Sequence, residues 1–326
     1  VTAGRVVVLL TSPRVAPGLL SWSGWQTLRD ADRVGCASPD EAPAVALKTA
    51  GIELTVVDDA WPWLRTAAES GSQVVWFAAD DGDPALLLQV SDVLVREPDL
   101  PFEVEIQNAS YDVPGARLID LVRVMDRLRA KCPWDKEQTH RTLATYLLEE
   151  AYETLEAIET GDREHLREEL GDLLLQVMFH SRIAEEDDAE PWSVDDVAGD
   201  IVDKLVRRHP HVFGDVDASD AAAVEANWES IKAAEKQRTS VLEGIPQSLP
   251  SLALADKVLS RSARLDTRSS GPSDPARRAS SGPSDQIGAE LLDLVRRARA
   301  EGVDAEQALR DAVRDLAEQI RAAESE

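Results

Sequence analysis

The chain has 326 residues, 61 of them acidic and 35 basic, for a formal charge of -26. That length suffices for two domains with their own cores, and the charge opposes binding along a phosphate polymer, which argues against a nucleic-acid-coating role. Two cysteines, Cys36 and Cys132, are too few for a disulfide framework and lack zinc-like spacing, which fits a reducing, cytoplasmic setting.

VTAGRVVVLLTSP opens with an apolar run of only five residues, and no stretch reaches the ~18 apolar residues of a membrane span, so neither signal peptide nor anchor is expected. Up to about residue 115, β-branched runs alternate with helical stretches. The runs at 6–10, 52–58, 73–78 and 102–107 read as strands, with DPALLLQVSDVLV as an intervening helix. After YDVPGARL, apolar residues recur at helical spacing from Ile119 to about Ala234. The predicted fold is multidomain, α/β followed by all-α, with an α/β domain at 1–115 and an all-α domain at 116–245. Residues 246–326 read as a helix near 251–265, a Ser/Gly/Pro linker at 266–286 in which SSGPSD occurs twice, and one or two amphipathic helices from Ile287 to Ala323.

The all-α part carries the chemistry. On a helical wheel of residues 146–159, Leu147, Leu148, Ala151, Tyr152, Leu155 and Ile158 share one face, and Glu149, Glu150, Glu153 and Glu156 the other. Alone, that is an ordinary solvated acidic face. Gly161 then stops the helix and Asp162 caps a second one, whose wheel is apolar except for a stripe of His165, Glu169, Asp172, Gln176 and His180. Carboxylates flanked by apolar residues need a positive partner. Counted from Gly161, Glu153 and Glu169 are each eight residues away, and Glu150 and Asp172 each eleven. In an antiparallel hairpin each pair stands at one height, so four carboxylates are expected to converge. An all-oxygen set of this kind suits Mg²⁺, with Mn²⁺ as a substitute, rather than zinc.

Helix SVDDVAGDIVDKLVRRHPHVF is capped by Ser193 and has a stripe of Val194, Val197, Ala198, Ile201, Val202 and Leu205 that is expected to be buried. Arg208 falls in the stripe, Lys204 at its edge and Arg207 away from it. Either cation can snorkel at the helix end, but next to an acidic site both Lys204 and Arg208 are read as phosphate-binding groups. Trp228 and Lys232 share a helical face. Trp228 has two readings, a base-stacking residue or a core or interface tryptophan, and Trp134 in CPWD is equally open. Cys132 reads as packed rather than nucleophilic, and His209 and His211 as turn or cap residues rather than metal ligands.

EEAYE, fifteen residues, then ELGD resembles the metal motif of the MazG family of nucleoside triphosphate pyrophosphohydrolases, as do CPWDKEQTH (132–140) and KLVRRHPHVFGD (204–215). The resemblance covers about residues 118–245. It implies cleavage of nucleoside triphosphates to monophosphate and pyrophosphate, in a helical homodimer that removes damaged nucleotides. It also implies Glu150, Glu153, Glu169 and Asp172 as Mg²⁺ ligands, and Glu149 as a group for water activation or the outer metal shell. Trp228 and Lys232 would lie at the nucleotide. Attack by an activated water in line on the α-phosphorus would need no covalent intermediate. The alternative is an acidic helical scaffold that binds metal or nucleotide without turnover.

Residues 1–115 resemble the first half of a tetrapyrrole-methylase-like domain through VVVLL, LRDADRV and DDGDPALL, but TSPRVAPGLL replaces the glycine-rich turn and the second half is missing, so a structural or docking role is expected. IGAELLDLVRRARAEGVDAEQALRDAVRDLAEQI resembles the latter half of a second MazG repeat, with Gln286 and Ala289 where the acidic pair would fall. Its metal site is expected to be lost, leaving one active site.

Overall fold

The computed structural model describes residues 4–216, 220–235, 240–263 and 282–325, and the chain divides into two compact units after Asp200.

In the first unit, VVVLL is apolar without alternation because its strand is covered on both faces. β1 (Gly4–Leu10) lies between β4 (Gln73–Phe77) and β5 (Phe102–Asn108). β2 (Arg33–Cys36) and β3 (Thr55–Val56) complete an all-parallel sheet of order β3-β2-β4-β1-β5. Val6, Val8, Val74 and Trp76 pack on one side against α3 (Ala60–Glu69) and α4 (Pro84–Arg96). Val7, Leu9, Val75 and Phe77 pack on the other against Leu28 of α1 (Trp22–Asp30) and Leu47 of α2 (Ala42–Thr49). The four predicted strands are present. β2 was not foreseen, because RVGC is too short to show alternation and contains a glycine. That glycine is needed: a Cβ on Gly35 would sit 2.6 Å from the Trp63 ring. IELTVVD pairs only at Thr55 and Val56, since Ile52 and Leu54 instead fill the α1/α2 side of the core.

The same unit continues through α5 (Arg117–Lys131), the short α6 (Pro133–Glu137), α7 (His140–Thr160) and α8 (Arg163–Ala184). Arg129 ties these together: it donates to Glu186 at 2.8 and 2.9 Å, to the Gln138 carbonyl at 3.1 Å, and to the Asp135 carbonyl. The α6 turn is thereby held and Trp134 is set edge-on to Tyr146 and Phe179, with centroids 6.0 and 6.3 Å apart. Thr139 and Thr142 form a reciprocal cap at the start of α7. Gly161, in the left-handed region at φ 72°, ends it. Asp162 then accepts from the backbone N–H groups of Glu164 and His165 at 3.0 and 3.1 Å, so the predicted turn is the observed one.

The α7 face turned toward α8 differs from the expected packing. Thr154 and Ala157 are buried, whereas Leu147, Leu148, Tyr152 and Ile158, the apolar face of the wheel, are exposed, Leu148 at 60%. The polar seam is inside the hairpin and much of the apolar face is outside it.

α9 (Val194–Arg208) crosses into the second unit, which includes α10 (Pro210–Phe213), α11 (Ala221–Glu235), α12 (Ser251–Ser262), α13 (Pro283–Ala300) and α14 (Ala305–Glu324). Ser193 caps α9, its hydroxyl accepting from Asp195 N while Asp196 accepts from Ser193 N at 2.7 Å. The stripe predicted to be buried is not: Ala198, Ile201, Val202 and Leu205 are exposed, and Arg208 is the buried member, at 8%. Arg208 donates to Glu235 at 2.6 and 3.1 Å and stands 5.3 Å over the Trp228 ring, linking α9 to α11. Arg207, expected to point away, reaches the same carboxylate at 2.6 Å. These bonds, first from Arg208 and then from Arg207, pull the Glu235 carboxyl down to about 2. α13 and α14 pack against α12, with Val295 buried and Arg299 donating to Asp256 at 2.9 Å. Of the predicted linker, residues 266–281 lie outside the described residues, and Pro283–Gln286 belong to α13. Among the described residues no helix is long and apolar enough to cross a membrane.

Two glycines of the hairpin respond oppositely to alanine. Gly161→Ala forces a side chain into the left-handed region and should lower stability by about 1 kcal/mol. Gly171→Ala, inside α8 with open space around its Cβ position, should raise it by a similar amount. Urea unfolding of both variants checks the pair, and equal shifts would contradict the turn geometry. Because Glu235 has a depressed folded pKa, its stabilisation is complete above the ordinary carboxylate pKa of 4.5 and is lost as pH falls toward about 2. The stability gap between wild type and Glu235→Gln should be constant above about pH 5 and close below it; a pH-independent gap would contradict the clamp.

Candidate active site

Antiparallel helices joined by a tight turn place residues equidistant from it at one height. Glu150 of α7 and Asp172 of α8 meet this way, Glu169 joins them from one turn nearer the loop, and one carboxylate oxygen from each lies within 4.8 Å of the others. Glu169 is 7% exposed and the other two are half-buried. Burial, followed by the charges of Asp172, Glu153 and Glu169, pushes the Glu150 carboxyl above its ordinary range. Glu153 is exposed and stands outside the three-oxygen group, although it contributes to that shift both by charge and through a carboxyl–carboxyl hydrogen bond. Three of the four predicted acids therefore converge fully and the fourth borders them. Glu149 is exposed. Among the described residues no other set of His, Cys, Asp or Glu comes together in this way.

Polar side chains flank the acids along α8. His165 Nε2 lies 2.9 Å from Glu169 Oε1 on the turn side. Toward the open end stand Gln176 and His180, the latter stacked on His140. Hard oxygen donors without thiolate, crowded enough to raise one carboxyl pKa, form a set that fits a hard divalent cation.

The residues read as substrate contacts are distributed over both units. Trp134, in the first, is 50% exposed at the rim of the α7/α8 core. In the second, Lys204, Trp228 and Lys232 are half-buried, and Arg208 is held by Glu235. His209 Nδ1 is 2.7 Å from the Leu205 carbonyl oxygen and its ring is edge-on to Trp228, 4.9 Å away. Cys132 is free and half-buried; Cys36 is free and buried, its thiol pushed up by burial. Sequence reasoning missed Glu235, which lies 27 positions from Arg208 with no periodic relation to it, and His140, whose partner His180 was visible on the polar stripe.

Comparison with known proteins places these helices in a family. The MazG nucleotide pyrophosphohydrolase domain matches residues 138–213, from just before α7 through α10. An uncharacterised 26.1 kDa protein from the blaB 3′ region of Streptomyces cacaoi is 49% identical over 253 residues, 76% of this chain and 99% of that protein. A nucleoside triphosphate pyrophosphohydrolase of Mycobacterium tuberculosis is 38% identical over 272 residues, 81% of this chain and 73% of its own length. A nucleoside triphosphate pyrophosphohydrolase/pyrophosphatase MazG of Thermotoga maritima is 35% identical over 228 residues, 64% of this chain and 85% of its own. Because the domain match falls on the helices that gather the acids, and the likeness to two named pyrophosphohydrolases runs through most of their length, the chain belongs to the MazG nucleotide pyrophosphohydrolase family and is a hydrolase of phosphoanhydrides.

Proposed function

We propose that the protein hydrolyses nucleoside and deoxynucleoside triphosphates between the α and β phosphates, releasing monophosphate and pyrophosphate, with Mg²⁺ as its metal and Mn²⁺ as a substitute. The observation that carries this reading is the convergence of Glu150, Glu169 and Asp172 within 4.8 Å in the hairpin seam. These three, with Glu153 at the border, are the proposed cation ligands. A divalent cation there would supply Lewis acidity toward the triphosphate oxygens and toward the attacking water. Glu149, beside Glu150 and exposed to solvent, is the proposed proton acceptor or outer-shell group. Lys204, Arg208 and Lys232 are proposed to offset phosphate charge, and Trp228 and Trp134 to stack on the base, which favours broad base tolerance.

The apolar residues left exposed on α7, and Leu170, Leu174 and Val177 on α8, are more than a hairpin facing water would carry, and we assign them to a homodimer contact. A cytoplasmic role in clearing damaged nucleotides is proposed from the family resemblance. The α/β region is proposed to be structural. At the carboxyl end of its sheet, where open α/β folds hold their ligands, the cavity beside Thr11 and Asp80 is about 90 Å³, and the larger one of about 320 Å³ lies at the amino end, beside Arg5 and Gln73.

Hydrolysis in ¹⁸O-labelled water tests the cleavage point. Label in the monophosphate, with unlabelled pyrophosphate, is the expected result; labelled pyrophosphate, or diphosphate with orthophosphate, contradicts attack at the α-phosphorus, and no product at all favours the scaffold reading. Asp172→Ala and Glu150→Ala should each cut turnover by about 100-fold or more while far-UV circular dichroism is preserved. Full activity in both would move the site elsewhere.

A further inference from the structure

The polar stripe of α8 continues past the acids. Gln176 stands one turn beyond Asp172, and His180 one turn beyond that, on the face that also carries Glu169. Gln176 is 5% exposed, and its Oε1 is shut off from solvent with no donor among the described residues reaching it. A buried acceptor left in this state is destabilising unless something completes it. His180 repeats the pattern. Its Nδ1 lies 2.7 Å from His140 Nδ1, with the rings parallel within 2° and 5.1 Å apart, while its Nε2 is buried and has no partner among the described residues. On the turn side of the acids, by contrast, His165 and Glu169 meet each other at 2.9 Å.

Among the described residues, two of the hairpin's buried unmet polar atoms, Gln176 Oε1 and His180 Nε2, stand toward its open end, and Thr154 Oγ1 is the third, on the turn side of the acids. Aromatic surface is available at the open end. Tyr146 faces Gln176 in the register that sets Glu150 opposite Asp172, and Tyr146 and Trp134, 40% and 50% exposed, contact each other there.

We infer that Gln176 accepts a hydrogen bond from the nucleoside part of the substrate, so that the nucleoside lies toward the open end of the hairpin and the phosphates face the acids. This rests on the acid cluster being the triphosphate site. An amide oxygen cannot bind ionised phosphate oxygens, which are acceptors too; its partner is a neutral donor, a sugar O–H or a base N–H. Gln176 is then a substrate-contacting residue that acts on affinity and orientation rather than on the chemical step.

Gln176→Leu keeps the approximate shape and removes the orphan amide, so its melting temperature should be unchanged or raised. With ATP as the probe, KM should rise about five- to tenfold and kcat change by less than about twofold, while inhibition by inorganic tripolyphosphate, which has no nucleoside, stays as in wild type. dATP, 3′-deoxyATP and purine riboside triphosphate lack the 2′-hydroxyl, the 3′-hydroxyl and the exocyclic amine of ATP in turn, and the substrate on which the variant shows no loss identifies the group that Gln176 holds. An unchanged KM for ATP overturns the inference. So does a loss of tripolyphosphate inhibition in step with KM, because Gln176 would then act on the phosphate end. Gln176→Met repeats the comparison should leucine fail to fold. Wild-type protein that releases no pyrophosphate would instead overturn the reading of the acid cluster.

Discussion

Mutual repulsion of carboxylates forced together by a helical hairpin is the constraint around which the catalytic region is organised. At 4.8 Å or less, each ionised pair costs roughly 3 kcal/mol at an effective dielectric of about 20. Three such pairs approach the whole stability of an ordinary domain. The fold can keep them only if a proton or a cation occupies the seam, and the raised pKa of Glu150 is the proton's share of that bargain. Everything around the seam fixes its geometry: Gly161 and Asp162 set the turn, the paired threonines start α7, and Arg129 locks α5 and α6 against the far end of α8.

How much of this was legible in the sequence depended on whether a single helix or a pair of helices decided the matter. The turn could be read because a glycine followed by a capping aspartate has local meaning. Counting from it put Glu150 opposite Asp172, and those two do meet. Height along the axis is only half of the geometry, however. Glu153 is three residues from Glu150, about 60° off its direction, and that rotation takes it to the rim. The wheel showed that α7 is amphipathic but not which face its partner would take. Leu148 and Ile158 turn outward because the hairpin closes on Glu150, Thr154 and Ala157 instead. Contacts between distant segments, such as Arg208 with Glu235, leave no periodic trace, and β2 was hidden by its brevity.

The turn device recurs in the C-terminal helices. Gly302, at φ 73°, and Asp304, whose carboxylate accepts from Glu306 N and Gln307 N, build the turn between α13 and α14 much as Gly161 and Asp162 build the first. Such a turn can be built twice in one chain because its requirements, a left-handed glycine and a capping aspartate, are local.

The claim that the seam is a cation site is tested most directly by titrating the substrate-free protein with Mn²⁺ and following the free ion by electron paramagnetic resonance. Saturable binding that weakens at least about tenfold in Glu150→Gln and in Asp172→Asn is the predicted result. Binding that is absent, or equally strong in both variants and wild type, would contradict it.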